Sequence, residues 1–100
     1  MANFGTPFAG LKNDRKLSTS ELIRAIRFSI AAEYEATQVY TQLAESTDNE
    51  LAIKVLVDIA NEERVHAGEF LRLLKQLDPK EYELYEKGKK EVEDMIATLK

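Results

Sequence analysis

Residues 50–77 read ELAIKVLVDIANEERVHAGEFLRLLKQL. Within them Ala52, Leu56, Ile59, Glu63, His66, Phe70, Leu73 and Leu77 recur at alternating spacings of four and three. This period puts them on one face of a helix, and it is the seam pattern of helices that pack side by side. Leu51, Val55, Ala67 and Leu74 widen the apolar stripe. Two seam positions carry Glu63 and His66, the only interruptions by ionisable groups. The decision between a plain helical seam and a chemical site turns on that pair.

Upstream, Ser46-Thr47-Asp48-Asn49 is a short polar turn, and Thr47 with Glu50 offers a capping box for the helix that follows. Before the turn, Ser18-Thr19-Ser20-Glu21 is another capping box. From it to about Glu45 there is no Gly or Pro, and Ile26, Ile30, Glu33, Thr37, Tyr40 and Ala44 repeat at helical spacing. A short turn forces two such helices antiparallel. With the turn centred between Thr47 and Asp48, Glu33 and Glu63 stand level, each roughly 22 Å from the turn at ~1.5 Å per residue. His66 lies one turn from Glu63 on the same face. Downstream, Asp78-Pro79 with Glu81 reads as cap, first helical position and completed capping box of a third helix, with a break or bend expected at Gly88. Val92, Met95, Ile96 and Leu99 continue the helical spacing, so a longer product or a fusion is expected beyond Lys100. The reading is all-α: an antiparallel two-helix hairpin plus a short C-terminal helix.

Glu is abundant in this chain, so Glu-x-x-His alone is a weak signal, and a solvated surface pair is the bland alternative. Position favours chemistry. Glu33, Glu63 and His66 occupy seam positions otherwise filled mostly by Ile, Leu, Phe and Ala. Carboxylates in a helix seam are costly unless paired or metal-bound, and neither seam contains a Lys or Arg. A di-iron carboxylate bundle uses one Glu from each of two helices and a Glu-x-x-His from each of two more. The chain has one of each, so two copies complete the set across a subunit interface. Four carboxylates would balance two divalent cations, and an oxygen-rich set with a few imidazoles suits iron or manganese. The expected cofactor is a di-iron centre per dimer, with Glu33, Glu63 and His66 as both metal ligands and catalytic residues.

Neighbouring residues carry less weight. Tyr40, two turns from Glu33 on the same seam, is a hydrogen-bonding or redox neighbour or an amphipathic core filler. Glu62 is rotated about 100° from Glu63, which suits a surface charge or a group behind the ligands. Glu35 lies off the seam, where a carboxylate could catch incoming ions; a solvated charge is the simpler reading.

Composition removes other classes. The chain has 100 residues, enough for one domain, with 44% hydrophobic and 32% charged residues. Its formal charge of −4 and lack of a basic cluster argue against nucleic acid and anionic membrane as partners. It has no Cys, which excludes disulfides, thiolate metal sites and Cys nucleophiles, and a single His leaves no room for a Ser-His-Asp array. No secretory signal or membrane-length run is visible, so a cytoplasmic protein is expected. Gly5, Pro7 and Gly10 mark residues 1–17 as a flexible arm, with Phe4 and Phe8 as possible docking points, ahead of a helical domain at 18–100.

At Glu33, the Glu62-Glu63-Arg64-Val65-His66 run and the Ser46-Thr47-Asp48 turn, the sequence resembles the encapsulated ferritins, small ferritin-like proteins carried inside encapsulin nanocompartments. The resemblance spans roughly residues 20–87, and the thirty-residue interval from Glu33 to Glu63 is its specific part. It implies a ferritin-like fold whose four-helix bundle is completed by dimerisation, with dimers joined in a ring, typically a decamer. It implies that Glu33, Glu63 and His66 are ferroxidase ligands and that Tyr40 lies close to the centre. It further implies Fe²⁺ and O₂ as substrates, an encapsulin shell as partner, iron storage in that shell, and a location inside the compartment. Glu35 matches an acid of the family's ion-uptake route, whereas Ala32 stands where another acid is usual. Two other readings share features with this one: a rubrerythrin-like peroxide reductase, and a helical dimerisation module without chemistry.

Overall fold

The computed structural model describes residues 15–99. Three helices follow in order: α1 (Thr19–Glu45), α2 (Glu50–Leu77) and α3 (Pro79–Ala97), with no strand among the described residues. The expected arm at 1–17 falls outside the described residues except for Arg15–Leu17. Arg15 turns back onto α1, its guanidinium bonding both oxygens of Glu21 at 2.8 and 2.6 Å.

Local chemistry sets the helix starts. Ser18 caps α1: its hydroxyl accepts from the Glu21 amide at 3.2 Å, and the Glu21 carboxylate accepts from the Ser18 amide at 2.8 Å. The box expected at Thr47 does not form. Asn49 is the cap of α2, accepting from the Ala52 amide at 2.9 Å, while Thr47 accepts from the Asn49 amide at 3.2 Å and shapes the turn. Both residues are good cap formers, and the turn length needed to bring α2 beside α1 selects the later one. Asp78 caps α3, accepting from the Glu81 amide at 3.1 Å, with Pro79 at the helix start. The Glu81 side chain does not reach back to complete a box; an arginine from α1 has taken it. No break occurs at Gly88, and α3 runs as one helix through it.

α1 and α2 pack along their length, whereas α3 meets the backbone of α2 only near its root. The core is thin. Ile26, Ile30 and Leu74 form its centre with Ile23, Phe70, Leu71 and Leu77 against them. Of six buried hydrophobic residues among those described, Ala44, Ala60 and Ala67 are alanines, so little apolar volume is enclosed. The contact stripe of α2 is displaced from the expected seam: Ala60, Ala67 and Leu74, spaced by seven, face α1. Leu51 and Leu73 remain 72% and 42% exposed. α2 is apolar over an arc wider than one neighbour can cover, and sequence period alone does not divide that arc between α1 and anything outside. The radius of gyration is 17.5 Å, against about 13 Å for a compact chain of this length. The molecule is a flat hairpin, 19 Å in its thinnest dimension, with a projecting third helix.

Candidate metal centre

The hairpin has two flanks. On one, helical rotation carries Glu33 of α1 together with Glu63 and His66 of α2. On the other, a groove of about 510 Å³ runs between Tyr34, Thr37 and Gln38 on α1 and Arg64, Gly68 and Leu71 on α2. The three expected ligands therefore share one side of the seam.

Each ligand has a reason to be where it is. Ile26 and Ile30 anchor α1 in the core, and Glu33 follows one turn later. The Thr37 hydroxyl donates to the Glu33 carbonyl at 2.8 Å, a contact within the helix that occupies the next turn. Ala60 and Ala67 bring α2 close to α1, and Glu63 sits between them in sequence. The small alanine side chains let the helices approach, so the longer carboxylates beside them meet across the seam.

Candidate ligand atoms of Glu33, Glu63 and His66 all lie within 4.8 Å of one another. His66 Nδ1 stands 3.7 Å from Glu33 Oε2 and 3.6 Å from Glu63 Oε2. These gaps are too long for good hydrogen bonds. They suit donors around a shared cation, since two atoms each ~2.1 Å from one ion are about 3–3.6 Å apart at ordinary coordination angles. Glu33 Oε2 is buried and has no hydrogen-bond partner. Native proteins seldom leave such an oxygen unpaired, and a cation held between the three side chains would satisfy it. Burial and then the adjacent Glu63 carboxyl push the Glu33 carboxyl above its ordinary range, while His66 pulls the other way. The His66 side chain is 49% exposed, so the site opens outward on its imidazole side. Two carboxylates and one imidazole form a hard, oxygen-rich donor set that fits iron or manganese. Three protein donors leave a first-row ion short of a full coordination shell.

The other expected site residues do not join the cluster. Tyr40 is half-buried on the same flank, ~10 Å along α1 from Glu33. Glu62 is exposed, and half-buried Glu35 stands outside the group of ligand atoms. Sequence reading missed a second polar cluster, where Arg27 joins Asp78 and Glu81. No local pattern could have revealed it, because it depends on where the start of α3 comes to lie relative to Arg27 on α1.

A family profile described as Rubrerythrin matches residues 25–99. The chain is 35% identical over 87 residues to a protein of Pyrococcus furiosus named "Ferritin-like-encapsulin shell fusion protein", covering 87% of this chain and 25% of that one. It is 42% identical over 67 residues to the "Encapsulin nanocompartment cargo protein EncC" of Myxococcus xanthus, covering 67% of this chain and 52% of that one. It thus spans about a quarter and about half of the length of these two curated relatives. The crystal structure of the encapsulated ferritin domain from Pyrococcus furiosus matches with a TM-score of 0.84 and 31% identity, over 98% of this chain and 100% of that one. No helix among the described residues is long and apolar enough to cross a membrane. A three-helix ferritin-like fold, a profile match over most of the chain and full coverage of an encapsulated ferritin domain together mean that this chain belongs to the rubrerythrin family, among its encapsulated ferritins.

Proposed function

We propose that this protein is a ferroxidase that works as a homodimer. Each chain contributes Glu33, Glu63 and His66 to a centre that takes two Fe²⁺ as substrate and passes their electrons to O₂. The observation that carries this reading is the half-complete ligand set. One chain holds three donors at metal-ligand spacing, one carboxylate oxygen buried without a partner, and a flank open on the His66 side. A two-metal carboxylate site needs twice that set, and a second copy supplies it.

The residues divide the work. Four carboxylates offset two divalent charges, so the loaded site is near neutral while desolvated on its inner side. His66 offers a neutral nitrogen and adds no charge. After each iron loses an electron, the same carboxylates hold an excess of positive charge, which favours release of Fe³⁺ or hydrolysis with proton loss. Two Fe²⁺, one O₂ and two protons give two Fe³⁺ and one H₂O₂. The names of the relatives support a further assignment, that the protein is cargo of an encapsulin shell that stores the ferric product.

The test is stopped-flow absorbance of ferric product in air. Glu33→Ala, Glu63→Ala and His66→Ala should each keep their helical content and lose most of the fast oxidation, because each deletes two ligands per dimer. Tyr40→Phe keeps the ring and every ligand and should slow turnover without abolishing it. Near-normal rates in either Glu variant would return these acids to the role of surface charges. The rubrerythrin profile favours one second reading, peroxide reduction at the same centre. Faster oxidation with H₂O₂ than with O₂ would select it.

A further inference from the structure

Among the described residues α3 has no buried side chain and meets the backbone of α2 only near its root, yet its first turn is gripped by α1. Arg27 Nε donates to both oxygens of Glu81, at 2.9 and 3.2 Å, and a second guanidinium nitrogen bonds the same carboxylate. That nitrogen also stands 3.8 Å from Asp78, the residue that caps α3. The Tyr85 hydroxyl donates to Glu81 from one turn further along α3. The Glu81 side chain is only 14% exposed, so the carboxylate sits under the guanidinium rather than out in solvent. A forked Arg–carboxylate pair fixes orientation as well as distance. Lys75 over the Tyr82 ring, 5.4 Å from its centroid, adds a weaker contact from α2.

We propose that Arg27 and Glu81 form a latch that sets the angle of α3 against the hairpin. The need for a latch follows from leverage. From Glu81 to Ala97 the helix runs ~24 Å, so a swing of about 10° at the root moves the far end by about 4 Å, most of a helical turn. Val92, Met95 and Ile96 are 52%, 63% and 54% exposed along that lever. Any surface that α3 meets with them requires its angle to be set beforehand, and the thin root contact with α2 is poor at resisting rotation. Arg27 acts at a distance from the metal ligands and touches none of them.

The absence of Cys makes the measurement direct. Spin labels at Gln42→Cys on α1 and Glu93→Cys on α3, both exposed positions, report the angle as a distance distribution by double electron–electron resonance. Labelled chain diluted in excess unlabelled chain confines the signal to pairs within one molecule. With Arg27 and Glu81 intact the distribution should be single and narrow. Arg27→Gln and Glu81→Gln should each widen it at least twofold with circular dichroism unchanged. The double variant should be no wider than either single, the non-additivity of directly paired groups. A broad distribution in the unsubstituted pair, unchanged widths in both Gln variants, or additive widening in the double variant would each overturn the latch.

Discussion

Glu33 keeps one carboxylate oxygen buried without a hydrogen-bond partner, beside a second carboxylate. In the metal-free protein this arrangement is unfavourable, since burial and Glu63 both oppose the charged form of Glu33. Glu33→Gln keeps the shape and removes the charge. The metal-free variant should therefore melt a few degrees higher than the parent chain, the scale that about 1 kcal/mol produces in a domain of this size. It should also lose the further rise in Tm that Fe²⁺ gives the parent under anaerobic conditions. Calorimetry in chelator and in excess Fe²⁺ checks both halves; a lower metal-free Tm would mean the acid stabilises the fold by itself. At this scale the sequence is unusually readable. That Glu33, Glu63 and His66 meet is legible because they interrupt apolar seams at one level of a hairpin, and the fold does bring them together. The pairing of Arg27 is not legible, because an arginine on an exposed helix face reads as a solvated charge until the first turn of α3 is placed within its reach.

Helices reveal their existence in sequence more readily than their surroundings. The starts of α1 and α3 are legible because Ser18 and Asp78 are strong caps next to Pro- and Gly-free runs or a helix-starting Pro. The start of α2 is ambiguous because Thr47 and Asn49 both cap well. The α2 stripe is blurred because its apolar arc is wider than the face that α1 covers. Gly88 shows the same limit: the residue suggests a break, whereas α3 stays helical through it without any neighbour to hold it there. A Cβ added there meets nothing within 4 Å. Gly88→Ala should thus stabilise α3 by about 0.5–1 kcal/mol, the usual helix cost of glycine, seen as raised helicity in the dilute metal-free chain.

The latch on α3 adds a pH dependence whose two limbs have opposite signs. Bonds from Arg27, reinforced by Tyr85, hold the Glu81 carboxyl below its ordinary range. Its contribution is therefore complete above the usual carboxylate range and lost as pH falls through the lowered value. The Tyr85 hydroxyl is pushed up to about 12, first by its hydrogen bond to Glu81 and then by burial. Its contribution is complete below about 10, the free tyrosine value, and lost as pH rises through the raised one. Amide exchange in α3, corrected for intrinsic rates, should show protection that is flat between these limits and falls at both ends. Tyr85→Phe should remove only the alkaline fall, and its persistence in that variant would place the alkaline titration elsewhere.

As a whole, the chain is more extended than its length requires and encloses a core built half of alanines. Apolar side chains that a compact protein of this size would bury remain outside: Leu43, Leu51, Val65 and Ile96 are 51%, 72%, 63% and 54% exposed. That surface is free to pack against another molecule, and on the function proposed above the molecule is a second copy of this chain. In the proposed dimer a second copy would cover apolar surface and supply the missing donors in a single step, which would make folding, assembly and metal loading linked equilibria. Dimer formation then has two parts. Apolar contact favours it, and four carboxylates brought to one seam oppose it until cations arrive. Fe²⁺ should shift the mass distribution toward dimers and larger rings, and chelator should shift it back. The sharper consequence is kinetic. If one chain sufficed, ferroxidase activity per mole would not depend on concentration. If the centre is shared, activity per mole should fall on dilution along the same curve as the dimer fraction measured by sedimentation, and added Fe²⁺ should move both curves to lower concentration by the same factor. Constant activity per mole across a range in which the dimer dissociates would show that one chain's three ligands are the whole site.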